Sequence, residues 1–453
     1  MLKSLKFTYC LAALALFGWS ATPAAAQSIL RDAETEALLH DMATPLASAA
    51  GLNPAHVDIV LVNDPSVNAF VAGGQAVYLN SGLIQEADTA SQVQGVIAHE
   101  LGHVMGGHAV LNPGAKDATN ISILSLLLGV AAAAAGGGEA AMGVLAAGQQ
   151  AAIGKYLAYS RGQESSADAA GAQYLSKAGI SGRGSLEFFQ KLQNMEFRYG
   201  YRPQDTDQFY SSHPSTGDRI ATLEDTYEKD PAWNKPDNAV LERRFARVKA
   251  KLYGYIGEPR LVLRAYPETD QSIPAHYARA YVYHRQSLFD KARAETDALL
   301  KAAPDDPYFL ELDGQILLEA GQPAEALPPL RRATALSNNT PLIATLLGHA
   351  LIATEDPANF KEAEGVLKNA VARDRENPFA WYQLGVVYAA NGDMARAFLA
   401  SAEQQSLSGN MAEALRSAQS AKSGLPTGTP DWLRAGDIEM QARAALERGK
   451  KRR

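Results

Sequence analysis

Thr89-Ala-Ser-Gln-Val-Gln-Gly-Val-Ile-Ala-His99-Glu100-Leu101-Gly102-His103-Val104 is the stretch that decides the fold of the first half of this chain. Val93, Val96, Ile97, Leu101 and Val104 recur on or near one face, so a helix is expected from Thr89 to Ala109, stopped by Asn112-Pro113-Gly114. Residues four apart on a helix lie one above the other, so His99 and His103 can aim their imidazoles at a single zinc ion. Glu100, the next residue round, points beside the metal. There it can take a proton from a water and pass it to a leaving amine. The pattern predicts a metal-dependent hydrolase. His108 is a further candidate ligand, but in a continued helix it sits about 140° round from His103, aimed away. The longer His-x-x-Gly-x-x-His pattern of metzincins would need its histidine where Ala109 stands. His108 is therefore expected to be a helix-end residue or a neighbour of the ligands.

Upstream, Val57 to Val62 and Ala76 to Leu79 carry strand signals, with Asn63-Asp64-Pro65 and Gly73-Gly74 as turns between them. Downstream, Ile121 to Gly138 has no charged residue, and after Glu139 a second uncharged run reaches Gly154. Alanine and glycine dominate its later part, and Gly136-Gly137-Gly138 would break a helix. A hairpin of close-packed helices over the site, or one making peripheral contact with lipid through 121–154, is expected in preference to a span.

The chain begins with Lys3 and Lys6, an apolar run from Phe7 to Trp19, and Ala24-Ala25-Ala26. These features describe a secretory signal peptide cleaved after Ala26. The single cysteine, Cys10, lies within it, so the mature chain has neither disulfides nor thiolate ligands, and any metal must rest on histidine and carboxylate. Loss of the two lysines takes the formal net charge from −7 to −9, and an acidic chain without a basic face excludes nucleic acid as a partner.

From about Pro274 the sequence is helical and alanine-rich. Pro307, Pro341 and Pro378 each open a helix pattern, 34 and 37 residues apart, and Gly314, Gly348 and Gly385 keep the same register. A period near 34 is the signature of tetratricopeptide helix pairs. Trp381-x-x-Leu384-Gly385-x-x-Tyr388 carries it most fully, with Ala395 opening the second helix. His276 to Ala303 reads as a degenerate unit, and Asn410 to Leu446 as a continuation or cap.

A catalytic zinc needs a third protein ligand. Glu164 and Asp168 are spaced so that one helix can present both, but spacing alone does not select them from the many carboxylates. The combination of His99-Glu100-Leu101-Gly102-His103, Tyr159-Ser160-Arg161 with Glu164 and Ala167-Asp168, and Ser212-His213-Pro214 with Arg219 resembles the HtpX/BepA-like gluzincin peptidases, the HtpX/CAAX-prenyl-protease-like family. Asn68-Ala69-Phe70, Gly73-Gly74 and Ser81-Gly82-Leu83 add to the likeness, and the repeats with a signal peptide resemble its periplasmic branch. The resemblance implies Glu164 as third ligand of one zinc per chain and Asp168 as acceptor of the far N–H of a metal-bound histidine. It implies His213 beside the zinc, either stabilising the oxyanion or filling the fourth position in a latent enzyme. Arg219 would orient His213 or grip substrate backbone. The segment around Gly73, Gly74 and Val77 would be an edge strand to which extended substrate pairs.

The expected architecture is mainly α. A signal peptide (1–26) precedes an α+β peptidase domain with a small sheet (27–235), a helical linker (236–273) and an α-solenoid of repeats (274–453). The expected function is a periplasmic zinc endopeptidase, possible association with the outer membrane included, that acts on unfolded or misassembled outer-membrane proteins and meets their assembly machinery through the repeat groove. The alternative is an assembly chaperone or adaptor whose peptidase is mostly latent.

Overall fold

A computed structural model describes residues 28–72, 74–108, 160–199 and 217–451. The expected signal peptide, Gly73, residues 121–154 and His213 lie outside them.

The first half builds a four-stranded sheet from β1 (Ser28–Leu30), β2 (Asp58–Asn63), β3 (Ala69–Ala72) and β4 (Ala76–Asn80), in the order β1-β2-β4-β3. β2 and β4 pair in parallel, Leu61 opposite Leu79, whereas β3 folds back antiparallel on the far side of β4, Phe70 opposite Tyr78. This corrects one expectation. Val77 is not on an edge: β4 is paired on both flanks and the Val77 side chain is fully buried. Among the described residues the edge strand beside Gly74 is β3, because the other flank of β4 is taken by β2.

The helices that follow or interleave with the strands are α1 (Ala33–Ala49), α2 (Ser81–Glu86), α3 (Ala90–Gly106), α4 (160–178) and α5 (Arg183–Tyr199). They share one core that includes Leu38, Met42, Leu79, Val93, Ile97, Leu175 and Phe188. The orphan N–H groups at the start of α3 are satisfied twice. Thr89 accepts from Gln92, and Glu242 accepts from Ala90 at 2.8 Å and Ser91 at 3.1 Å. At its other end α3 is shorter than its apolar pattern suggests. Gly107 adopts φ 65°, and the chain turns back there rather than running on to Ala109.

α6 (Gly217–Glu228) and α7 (Ala239–Ile256) follow, then α8 (Pro259–Ala265). The stretch expected as a linker is more than a spacer. Phe245, Val248 and Leu252 of α7 belong to the core of the first half, and Ala250 packs with Ala278 and Val282 of the first repeat helix. The arm comprises the pairs α9 (Ile273–Arg285)/α10 (Phe289–Ala302), α11 (Pro307–Glu319)/α12 (Pro323–Leu336), α13 (Pro341–Ala353)/α14 (Pro357–Arg373), α15 (Pro378–Ala390)/α16 (Met394–Leu407) and α17 (Met411–Gly424)/α18 (Pro430–Lys451). The periodic prolines take the first helical turn, where a missing N–H leaves no bond unmade. The periodic glycines let paired helices touch: a Cβ at Gly314 or Gly348 would come within 2.6 Å of Leu330 or Leu367 Cδ2. No helix of the described residues is long and apolar enough to cross a membrane.

A buried ionic knot joins the arm to the first half of the chain. Lys251 of α7 donates to Asp32 at 2.6 Å and lies 3.3 Å from Glu34 at the start of α1. Arg247 pairs with Glu34 and, at 2.8 Å, with Asp306, which caps α11. Tyr277 of α9 donates to Glu34 at 2.7 Å, and Ala33 packs among Leu310, Ala333 and Ile343 of the repeats. Nearby, burial pushes the Glu311 carboxyl up to about 8. Removing one partner from such a cluster leaves charges buried and uncompensated, a loss of about 3–5 kcal/mol. Glu34→Ala should therefore lower unfolding free energy by about that much in denaturant titrations. Arg331→Ala, which breaks an exposed pair with Glu362, should change it by no more than about 1 kcal/mol.

Candidate metal centre

α3 and α4 cross closely, and Gly102 is the reason. A Cβ there would lie 2.6 Å from the Ala167 carbonyl oxygen and 2.8 Å from its Cα. This approach brings Glu164 of α4 to the two histidines of α3. His99 Nε2 is 3.4 Å and His103 Nε2 3.3 Å from the Glu164 carboxylate, and the two Nε2 atoms are 3.1 Å apart. Of the described residues, this is the one group of three or more potential ligands, its donor atoms within 4.8 Å of one another and all three residues buried. Two imidazoles and a carboxylate from rigid helices suit a divalent metal, and with three protein ligands a position stays open for substrate or water. Glu100 is fully buried on the same helix, next to His99.

One turn further along α4, Asp168 lies 2.9 Å from His99 Nδ1. Arg219 of α6 donates to both Asp168 oxygens, at 2.7 and 2.8 Å, and reaches Glu164 at 3.0 Å. Its guanidinium also lies over Phe189 of α5, whose ring meets the edge of His99. Sequence reading gave Arg219 a substrate or His213 role. The fold shows it bridging the two carboxylates of α4, a contact across 51 residues that no local spacing announces. His108 lies at the helix end beside His103, among the places the sequence left open to it. The turn at Gly107 carries it back so that its Nδ1 is 2.8 Å from His103 Nδ1. The helical extrapolation that aimed it away fails because the helix ends first.

Burial alone favours neutral His99, but the Asp168 and Glu164 carboxylates outweigh it and hold its proton up to about 10 in the metal-free chain. Burial alone would push Asp168 up, but Arg219 and His99 hold it below the usual carboxylate range. Burial, only partly offset by Glu164, keeps His103 below the ordinary imidazole value.

Residues 33–227 match the model described as peptidase family M48, and residues 275–341 and 346–410 match a tetratricopeptide repeat. The chain is 26% identical over 402 residues to the beta-barrel assembly-enhancing protease of Yersinia pestis, covering 86% of this chain and 80% of that one. To the protein of the same name from Escherichia coli (strain K12) it is 27% identical over 401 residues, covering 86% and 79%. It is 30% identical over 194 residues to metalloprotease LoiP of Escherichia coli (strain K12), covering 41% of this chain and 70% of that one.

A histidine whose folded-state pKa is raised stabilises the fold fully below its unfolded value, about 6.5, and loses that contribution as pH rises through the folded value. The melting temperature of the protein stripped of metal should therefore fall as pH rises from about 6.5 to about 10. Asp168→Asn should flatten that slope, and an equal slope in both proteins would refute the pairing.

Proposed function

Because this chain belongs to peptidase family M48 and is a metallopeptidase, we propose that it is a periplasmic zinc endopeptidase acting in quality control and assembly of outer-membrane proteins. The observation that carries the catalytic part is the convergence of His99, His103 and Glu164 from two helices. Zinc is favoured among divalent metals by two imidazoles, one carboxylate and a site buried from bulk water. When bound, the metal supplies Lewis acidity to the scissile carbonyl and makes an attacking water more acidic. Glu100 takes the proton of that water and delivers it to the amide nitrogen as the bond breaks. Asp168 holds the His99 ring with Nε2 inward, and Arg219 orients the two α4 carboxylates while compensating their charge.

His213 is proposed to approach the metal from the far side, as oxyanion partner or as a fourth ligand in a resting state. An extended substrate would pair with β3, the edge strand among the described residues. The assignment to outer-membrane proteins is supported by likeness to proteases named for beta-barrel assembly, and the periplasm by that likeness and the signal-peptide pattern of residues 1–26. The repeat arm supports partner binding in addition, with the assembly machinery as the proposed occupant.

Glu100→Gln should keep wild-type metal content while cleavage of unfolded casein drops by about 10²–10⁴-fold. Undiminished cleavage would rule the mechanism out. If this variant restores a deletion strain fully, the adaptor reading replaces the enzymatic one. His213→Ala separates its two roles: a rise in proteolysis supports a resting ligand, a loss an oxyanion partner.

A further inference from the structure

The two histidines of the centre are held from behind in different ways. His99 turns its Nδ1 to a carboxylate, Asp168, at 2.9 Å. His103 turns its Nδ1 to another imidazole, His108, at 2.8 Å, the two rings meeting edge to face. With His103 Nε2 toward the metal site, its Nδ1 carries the hydrogen and donates to His108 Nδ1. The His108 hydrogen then sits on Nε2, which is 3.3 Å from Ser166 Oγ, and Ser166 donates in turn to the Gln163 carbonyl at 2.9 Å. Every donor in this chain has an acceptor, and the chain ends on α4, the helix that carries Glu164.

The backbone is shaped for this contact. Gly107 takes φ 65°, and the His108 N–H bonds back to the His103 carbonyl at 3.1 Å, so the ring returns over the last turn of α3. Gly106 leaves the space that the ring occupies: a Cβ there would run into its Nε2 and lie 2.7 Å from its Cε1. A charge argument explains why an imidazole serves here. The centre already buries Glu100, Glu164 and Asp168 around Arg219, and a second carboxylate behind His103 would add a further negative charge. A neutral acceptor orients the ligand without that addition.

We infer that His108 is a positioning residue of the metal centre: it accepts the Nδ1–H of His103, fixes the tautomer that presents Nε2, and ties this ligand through Ser166 to the helix of Glu164. The inference rests on the metal reading above. Removal of such an outer partner typically lowers metal affinity 10–100-fold.

The test uses the full chain stripped of metal, with zinc affinity measured by competition against a chromophoric chelator and the site geometry followed by cobalt(II) absorption. His108→Ala and Gly106→Ala should each weaken zinc binding about 10–100-fold and shift the cobalt spectrum, at an unchanged metal-free melting temperature. Gly106→Ala is the sharper probe, since alanine is the better helix former and His108 remains present but displaced. His108→Gln should recover most of the affinity, because its amide oxygen accepts the same hydrogen. Wild-type affinity in both alanine variants would overturn the inference. So would a loss confined to His108→Ala that tracks a lower metal-free melting temperature. His99→Ala is the control: if it binds zinc as tightly as wild type, the metal reading itself fails.

Discussion

Three carboxylates, Glu100, Glu164 and Asp168, are buried within one cleft, and the Arg219 guanidinium makes that burial tolerable. An ionised carboxylate taken out of water without compensation is penalised by several kcal/mol or more, so the cleft needs cations facing it. Arg219 supplies a permanent one, doubly bonded to Asp168 and touching Glu164. A metal held by His99, His103 and Glu164 would supply the other. The rest of the peptidase domain follows from bringing these groups together. Gly102 lets α4 approach α3, Phe189 of α5 covers the face of the guanidinium, and α6 delivers Arg219 from the far side of the chain.

A second buried ionic cluster does for the arm what Arg219 does for the cleft. Glu34 and Asp32 open α1, Arg247 and Lys251 come from α7, Asp306 caps α11, and Tyr277 belongs to α9. α7 also contributes Phe245 and Val248 to the peptidase core and caps α3 through Glu242. One helix therefore touches the start of the metal-binding helix, the peptidase core and the first repeats. The start of α1 also packs against the second and third repeats.

The two parts divide the work by their physics. The cleft gathers the buried charged groups Glu100, Glu164, Asp168 and Arg219 around two histidines. The arm carries exposed Phe379 and Tyr382 beside His349, an apolar surface of the kind helical repeats use to hold partners. Among the described residues, β3 is the edge strand of the sheet on the side away from β2.

Much of this organisation is local and was legible from residue spacing. The 3.6-residue turn makes His99 and His103 neighbours in any helix, and recurrent Pro and Gly mark repeat units because each serves its own pair of helices. Resemblance to a family, not spacing, singled out Glu164. Other features depend on which distant segments meet. The β3 edge, rather than the strand of Val77, depends on β4 pairing with both β2 and β3. The sharing of α7 by two cores depends on the arm's docking, and the place of Arg219 on a contact across 51 residues. His108 shows the boundary within five residues of His103. Sequence by itself determined that the two candidate ligands, His99 and His103, share one helix face with Glu100 beside them, because helix geometry is set by covalent structure. Only the tertiary structure decided what stands behind those ligands, because one left-handed glycine redirects the chain and burial chooses the partners.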